Sequence, residues 1–278
     1  MKEVRIIGPG RAGSSLAGAL DRMGWRVAGV LGRSDDARAA AHGVDALVIA
    51  TADGDVAHVA GLVEPDPATA VLHLSGSLGL EALDPHPRRA SLHPLVPLPD
   101  AATGAERLSA GAVFAVDGDP IATEIATALG GRCIRVPRAS RAAYHAAACV
   151  ASNHVVALLA QASLLADEAG IGIGDLVGLT AASLADVARL GPRRALTGPA
   201  ARGDTATLER HRAVLDRVDA HAQAAGAPAG IQRRAYDACA QLAAALAGTG
   251  ASPGDAGADR DRPRGDAQMR SREVPACN

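Results

Sequence analysis

A chain of 278 residues with 48% hydrophobic and 21% charged content has the size of about two domains and the composition of a soluble globular protein, which excludes a wholly disordered polymer. The formal net charge of −2 and only four aromatic residues, Trp25, Phe114, Tyr144 and Tyr236, leave neither the positive excess nor the stacking surface that nucleic acid demands. Lys2 is the one lysine against 27 arginines, so chemistry that needs an interior lysine, such as a Schiff base or a P-loop, is excluded and arginine must do any cationic work.

No window approaches 18 uninterrupted apolar residues, and Met1-Lys2-Glu3 leads straight into the short run Val4–Ile7. That is the anatomy of neither a signal peptide nor a membrane span, so a cytoplasmic chain without membrane contact is expected. Cys133, Cys149, Cys239 and Cys277 are too far apart for a Cys-x-x-Cys pair, and none of the nine histidines belongs to a His-Glu-x-x-His motif. Reduced, buried thiols and no metal are expected.

In chain order, seven short apolar runs read as strands: Val4–Gly8, Arg26–Gly32, Ala46–Ala50, Ala70–Ser75, Ala90–Leu95, Ala112–Asp117 and Arg132–Val136. Ser14–Met23, Asp35–His42, Asp53–Val63 and Pro120–Leu129 have helical composition, with Asp53 and Asp119 at capping positions. Such alternation predicts a Rossmann-type α/β domain over residues 1–137, a doubly wound parallel sheet. Beyond Val136 the strand signals stop. Ala/Leu-rich segments at Ser140–Ala169, Asp175–Leu190, Thr205–Ala225 and Ala229–Ala247, separated by Gly/Pro breakers, predict an all-helical domain over residues 138–248. Alanine-dominated helices pack closely but bury little each, so a shared core or a homodimer interface is expected of them. Residues 249–278 mix Gly, Pro, Asp and Arg without periodicity and are expected to form a disordered tail.

Gly8-Pro9-Gly10-Arg11-Ala12-Gly13 matches the G-x-G-x-x-G fingerprint, which alone is weak because so glycine-rich a chain produces roughly 0.4 such matches by chance. Its setting carries the weight. Val4–Ile7 is a buried-strand run ending at Gly8, and Ser14–Leu20 opens a helix at the third glycine. Gly8 then permits the tight turn, Gly10 lets a pyrophosphate approach the backbone, and Gly13 lets helix and strand close. Arg11 and Ala12 complete the loop, and Thr51, after the third strand, counts as a further cofactor contact. About 20 residues on, where an acidic residue would hold a ribose 2′-hydroxyl, stand Arg33 and Ser34. Arginine there suits the 2′-phosphate of NADP(H); the alternative is a solvated Arg33 with Asp35 or Asp36 on the ribose.

On a helix begun at Ser140, steps of four, four and three put Arg141, His145, Cys149 and Ser152 on one stripe, with Asn153 beside it. His145 is then a candidate proton donor, Asn153 an orienting amide and Arg141 a carboxylate anchor. The competing reading makes His145 a core histidine. Ser75 and Ser77 follow a strand of the sheet at its ligand-binding edge and face either nicotinamide or substrate, unless they merely cap a turn. His93-Pro94 also ends a strand. Arg202 is a candidate for an anionic substrate, whereas Asp204 fits a helix cap.

The glycine loop, Ser75-Gly76-Ser77-Leu78-Gly79, Ser91-Leu92-His93-Pro94-Leu95, Tyr144–Ala148 with Ser152-Asn153, and Leu196–Pro199 with Arg202-Gly203-Asp204 together resemble one group. It comprises Rossmann-like proteins with a helical C-terminal domain of unknown function, akin to ketopantoate reductases, β-hydroxyacid dehydrogenases and pyrroline-5-carboxylate reductases. The resemblance covers about residues 2–247, including a second domain like that of 6-phosphogluconate dehydrogenase. It implies an NADP-dependent oxidoreductase acting on a CH–OH/C=O group. The leading expectation is a ketopantoate-reductase-like enzyme that passes hydride to a small 2-oxo acid between its two domains. His145, Asn153, Arg141 and Ser75 would be catalytic, and Ser77, His93, Ser152 and Arg202 would touch substrate. An imine or prephenate-type substrate is the alternative, as is a non-catalytic NADP-binding sensor or scaffold; a His-Pro pair like His93-Pro94 lies near the site of prephenate dehydrogenases. One departure bears on the chemistry: related sequences tend to carry lysine where this chain has Arg141, and arginine is a poor proton donor.

Overall fold

The computed structural model describes residues 1–224, 226 and 228–248; the expected tail and Cys277 lie outside them. The chain forms two compact units that meet in sequence at Asn153/His154, later than the boundary expected after residue 137.

In the first unit all seven expected strands form: β1 (Glu3–Ile7), β2 (Arg26–Leu31), β3 (Ala46–Ile49), β4 (Ala70–His73), β5 (Arg89–Pro94), β6 (Val113–Gly118) and β7 (Arg132–Ile134). They make one sheet in the order β2-β1-β3-β4-β5-β6-β7. The central strands β3 and β4 are buried at every position, as expected of parallel strands covered on both faces. Successive side chains alternate between two cores: Val4, Ile6, Val48, Leu72 and Leu92 join Leu16, Leu20 and Phe114 on one face. Ile7, Leu47, Ile49 and Val71 join Val56 and Leu83 on the other.

Helices α1 (Arg11–Arg22) and α2 (Asp53–Leu62) lie close to expectation, and so does α4 (Ile121–Ala128), where Asp119 accepts from the Ile121 amide at 3.0 Å. Three local features differ. The helix expected over Asp35–His42 is a series of turns, because Asp35 accepts from the Gly32 amide at 2.7 Å and Asp36 from the Arg38 amide at 2.9 Å. These short carboxylates offer the backbone an alternative to helix. An unexpected helix, α3 (Ala101–Ser109), is capped by Asp100, which accepts from the Thr103 amide at 2.8 Å. It packs close to α1, where Gly104 faces Ser15. Finally, β6 runs antiparallel to β5, so the sheet is not wholly parallel. The chain leaves β5 at the carboxyl edge, makes α3 and enters β6 from that same edge.

The stretch after β7 continues as a short 3₁₀ turn (Arg138–Ser140), α5 (Arg141–Cys149), a π-helical turn (Val150–His154) and, in the second unit, α6 (Val155–Glu168). Among the described residues Arg138–Glu168 is the one helical run apolar and long enough to cross a membrane, an 18-residue stretch of it having a mean hydropathy of 1.5. Expectation allowed for no such segment, because the search for an unbroken apolar run is interrupted here by Arg141, His145, Ser152, Asn153 and His154.

The second unit adds α7 (Ile173–Leu190), α8 (Pro192–Ala195), α9 (Pro199–Arg202), α10 (Thr205–Ala224) and α11 (Ile231–Gly248). Two one-turn helices, each with Pro in its first turn, stand where a plain loop was expected. Asp219 of α10 is buried and accepts from the amides of Gln232 and Arg233, both at 2.9 Å, satisfying orphan donors at the start of α11. Gln161 of α6 donates to the Gln232 carbonyl at 2.7 Å. The apolar interior of this unit is thin: among its described residues Ala166, Leu215 and Val218 are the buried hydrophobic ones. The expectation of buried thiols fails here, since Cys239 is exposed and Cys133 and Cys149 are half-buried.

Candidate active site

β1, β3, β4 and β5 run parallel, so the loops that follow them collect at one edge of the sheet, where open α/β folds bind ligands. The glycine loop after β1 is a cradle in the steric sense. Gly8 stands at φ +112°, and a Cβ there would lie 2.6 Å from the Ala50 carbonyl oxygen. At Gly13 a Cβ would collide with the Gly8 carbonyl oxygen and lie 3.1 Å from Ala50 Cβ. Gly10, by contrast, is the uncapped N-cap of α1 and has nothing within 4 Å of where a Cβ would stand. Open space over unpaired first-turn amides fits a pyrophosphate. Arg33 and Ser34 lie exposed just past β2, and Arg33 makes no ion pair among the described residues. Asp35 is engaged by Gly32. Thr51 lies on the same edge, half-buried after β3.

Beside this cradle the loops after β3 and β4 lock together. Asp53, the first residue of α2, does not cap that helix as expected; Ala52 holds the N-cap position. Instead Asp53 Oδ2 accepts from the hydroxyls of Ser75 and Ser77, each at 2.7 Å. Ser75 Oγ also accepts from the amides of Ser77 and Leu78 at 3.1 Å. Partial burial opposes the Asp53 charge, but the two hydroxyls and the field of His145 and His73 outweigh it and hold the carboxyl below its ordinary range.

Between the two serines, Gly76 is pressed against two imidazoles: a Cβ there would lie 2.8 Å from His145 Nδ1 and 2.9 Å from His93 Nε2. The two rings stand edge to face, 5.9 Å between centroids. His93 Nδ1 shares a 2.7 Å hydrogen bond with the Tyr144 hydroxyl. Burial, helped by neighbouring His145, pushes the His93 imidazole down to about 4, so it is neutral near pH 7. His145 Nδ1 is buried without a partner, and its Nε2 lies 3.7 Å from Cys149 Sγ.

Arg141 departs from its expected role. It is 6% exposed, and its guanidinium donates to the Leu78 carbonyl at 2.6 Å and to Ser91 Oγ at 3.1 and 3.2 Å. Asp117 Oδ2 is 3.7 Å away. His73, Ser91 and Asp117 are cross-strand neighbours in register, so a polar row crosses these strands on one face and Arg141 closes over it. Its two terminal nitrogens are engaged by the protein, and its Nε is buried without a hydrogen-bond partner among the described residues, so the fork is not presented at the surface.

The expected stripe on this helix holds for its first turns, with His145 and Cys149 adjacent. The π-helical turn then shifts the register, and Ser152 Oγ donates instead to the Ala148 carbonyl at 2.7 Å and to Asn153 Oδ1 at 2.8 Å. Neither residue is hydrogen-bonded to the histidine cluster. Arg202 is exposed in the second unit, while Asp204 accepts from the Thr207 amide at 3.0 Å, the cap its position suggests. The structure thus brings together Ser75, Ser77, His93 and His145, and adds Asp53 and Tyr144. For Asp53 the available signal was its place directly after a buried strand of the parallel sheet, the same argument that singled out Ser75. No group of three or more His, Cys, Asp or Glu residues among those described is placed to hold a metal.

The sheet order, glycine cradle and polar edge define a Rossmann-type chain. Residues 112–244 match the family model described as a domain of unknown function, DUF2520. No curated protein matches the chain. Among solved structures, BF3122 from Bacteroides fragilis, a provisionally assigned NADP oxidoreductase, is similar with a TM-score of 0.74 at 20% identity, covering 88% of this chain and 98% of its own. A reductive aminase from Aspergillus terreus, solved with NADPH, cyclohexanone and allyl amine, aligns with a TM-score of 0.58 at 17% identity, covering 87% and 93%. Plasmodium falciparum pyrroline carboxylate reductase with NADP bound aligns at 0.54 and 11% identity, covering 88% and 98%. At these identities the likeness is one of fold.

Proposed function

We propose that this chain is an NADPH-dependent oxidoreductase that reduces a small C=O or C=N substrate at the carboxyl edge of its sheet. The observation that carries this reading is the adjacency of an open glycine cradle and the Ser75-Gly76-Ser77 loop, with Asp53, His93 and His145 gathered around it. NADPH, when bound, supplies the hydride. Gly8, Gly10 and Gly13 would hold its pyrophosphate, and Arg33, free of ion pairs while Asp35 is engaged, would favour the 2′-phosphate. Ser75, Ser77, His93 and His145 would position the acceptor bond. The NADPH- and NADP-bound neighbours named above support the choice of cofactor.

A 2-oxo acid reduced in ketopantoate-reductase fashion is one substrate; a cyclic imine is the other, and a sensor without turnover is the reading from a different class. Following NADPH consumption over a panel of 2-oxo acids and cyclic imines tests all three. The proposal expects turnover with a member of the panel, whereas binding of NADPH with no turnover on any would favour the sensor. The proposal includes a cytoplasmic homodimer paired through the helical unit. Its support is the exposure of Val156, Val177, Leu179, Leu184 and Leu242, which stand between 53% and 71% exposed in the single chain.

A further inference from the structure

Resting on the reductase reading, we infer that Asp53 is the counter-ion of a cationic substrate, so that the bond reduced is the C=N of a protonated imine rather than the carbonyl of a 2-oxo acid. The charges around the Ser75-Gly76-Ser77 loop carry this. Asp53 Oδ2 is fixed by two hydroxyls, but Asp53 is exposed and takes part in no ion pair among the described residues. A positioned carboxylate with one oxygen open is a seat for a cation. The arginine expected to anchor a 2-oxo acid is withdrawn into the protein: Arg141 is buried and its two terminal nitrogens are engaged by the Leu78 carbonyl and Ser91 Oγ, with Asp117 at 3.7 Å. Arg11 and Arg33 belong to the nucleotide end of the edge. A substrate carboxylate would therefore meet Asp53 without Arg141 to offset it, whereas an iminium would be drawn to it.

The chemistry points the same way. Hydride adding to a carbonyl carbon leaves an alkoxide that must take a proton from a nearby acid. His93, neutral near pH 7 and tied to Tyr144, is poorly suited to supply it, and His145 has its Nδ1 packed against Gly76 and its Nε2 beside Cys149 Sγ. In a protonated imine the nitrogen already carries that proton. Hydride from the dihydronicotinamide bonds to the imine carbon, the C=N π pair moves to nitrogen, and the products are a neutral amine and oxidised cofactor. Asp53 need only hold the cation while its charge disappears.

The test is direct binding to the NADP⁺-loaded chain by calorimetry, with pyrrolidinium as the saturated cationic probe and pyruvate as the 2-oxo acid. Saturable pyrrolidinium binding without pyruvate binding is expected, and Asp53→Asn should weaken pyrrolidinium at least tenfold while NADPH affinity and melting temperature hold. Asp53→Glu should recover part of the loss, which a merely structural role would not produce. Pyruvate binding in place of pyrrolidinium, binding of neither, or an Asp53→Asn variant that still binds pyrrolidinium normally would overturn the inference while leaving the cofactor reading intact. Failure of the wild-type chain to bind NADPH would instead remove the reductase reading itself, and the inference with it.

Discussion

Replacing Gly76 by alanine is expected to cut turnover roughly 100-fold while NADPH affinity stays within about twofold, because displacing reacting groups by about 1 Å costs that much. The position does not require a positive φ, so alanine meets no backbone penalty and the effect is purely steric. Its methyl would stand 2.8 Å from His145 Nδ1 and 2.9 Å from two atoms of the His93 ring. His93 cannot swing away without losing its 2.7 Å bond to Tyr144, and His145 is fixed on α5. The rings must part, and Ser75 and Ser77 must shift on Asp53. Overpacking of this kind also costs about 1–3 kcal/mol of stability. Steady-state kinetics with NADPH titration and a melting curve check all three quantities. Unchanged turnover would mean that the two imidazoles and the serine loop do not form the site.

Arg141→Ala is expected to lower stability by roughly 1–3 kcal/mol, since it leaves the buried Ser91 hydroxyl and the Leu78 carbonyl without their donor and Asp117 with Arg138 alone at 3.7 Å. The distance of 3.7 Å to a partly exposed Asp117 places the cost at the lower side of what buried pairs show. Arg141→Lys keeps the charge but not the fork and should recover only part of the loss. Chemical denaturation of the three chains measures this. A substrate anchor would behave differently: KM would rise while stability stayed at the wild-type value, and that pattern would contradict the placement of Arg141 in the interior.

Much of the first unit was legible in sequence because its signals are local and strong. Each buried strand is an apolar run, and the glycine loop sits between a strand and a helix. What escaped depends on partners distant in sequence or on side chains competing with backbone. Asp35 and Asp36 turned a helical composition into turns by capping amides within three residues. Helix α3 is short and rich in Ala, with one glycine, Gly104, and owes its place to α1. The antiparallel β5/β6 pair has no signature in either strand. At the site, Ser75, Ser77, His93 and His145 were identifiable from strand ends and helix spacing. Asp53 was assigned as a cap because an acidic residue ahead of a helix usually is one; only its 22- and 24-residue separations from Ser75 and Ser77, closed by the sheet, reveal its partners. The stripe beyond Cys149 was misplaced by a π-helical turn, an insertion that hydrophobic periodicity does not announce.

NADPH binding at the glycine cradle is measured most directly by titrating the purified wild-type and Arg33→Asp chains with NADPH and NADH, followed by nicotinamide fluorescence. Saturable NADPH binding in roughly the micromolar range, weaker NADH binding, and loss or reversal of that preference in Arg33→Asp are expected. Absence of NADPH binding up to about 1 mM, or a wild-type preference for NADH that Arg33→Asp leaves unchanged, would contradict the cofactor reading.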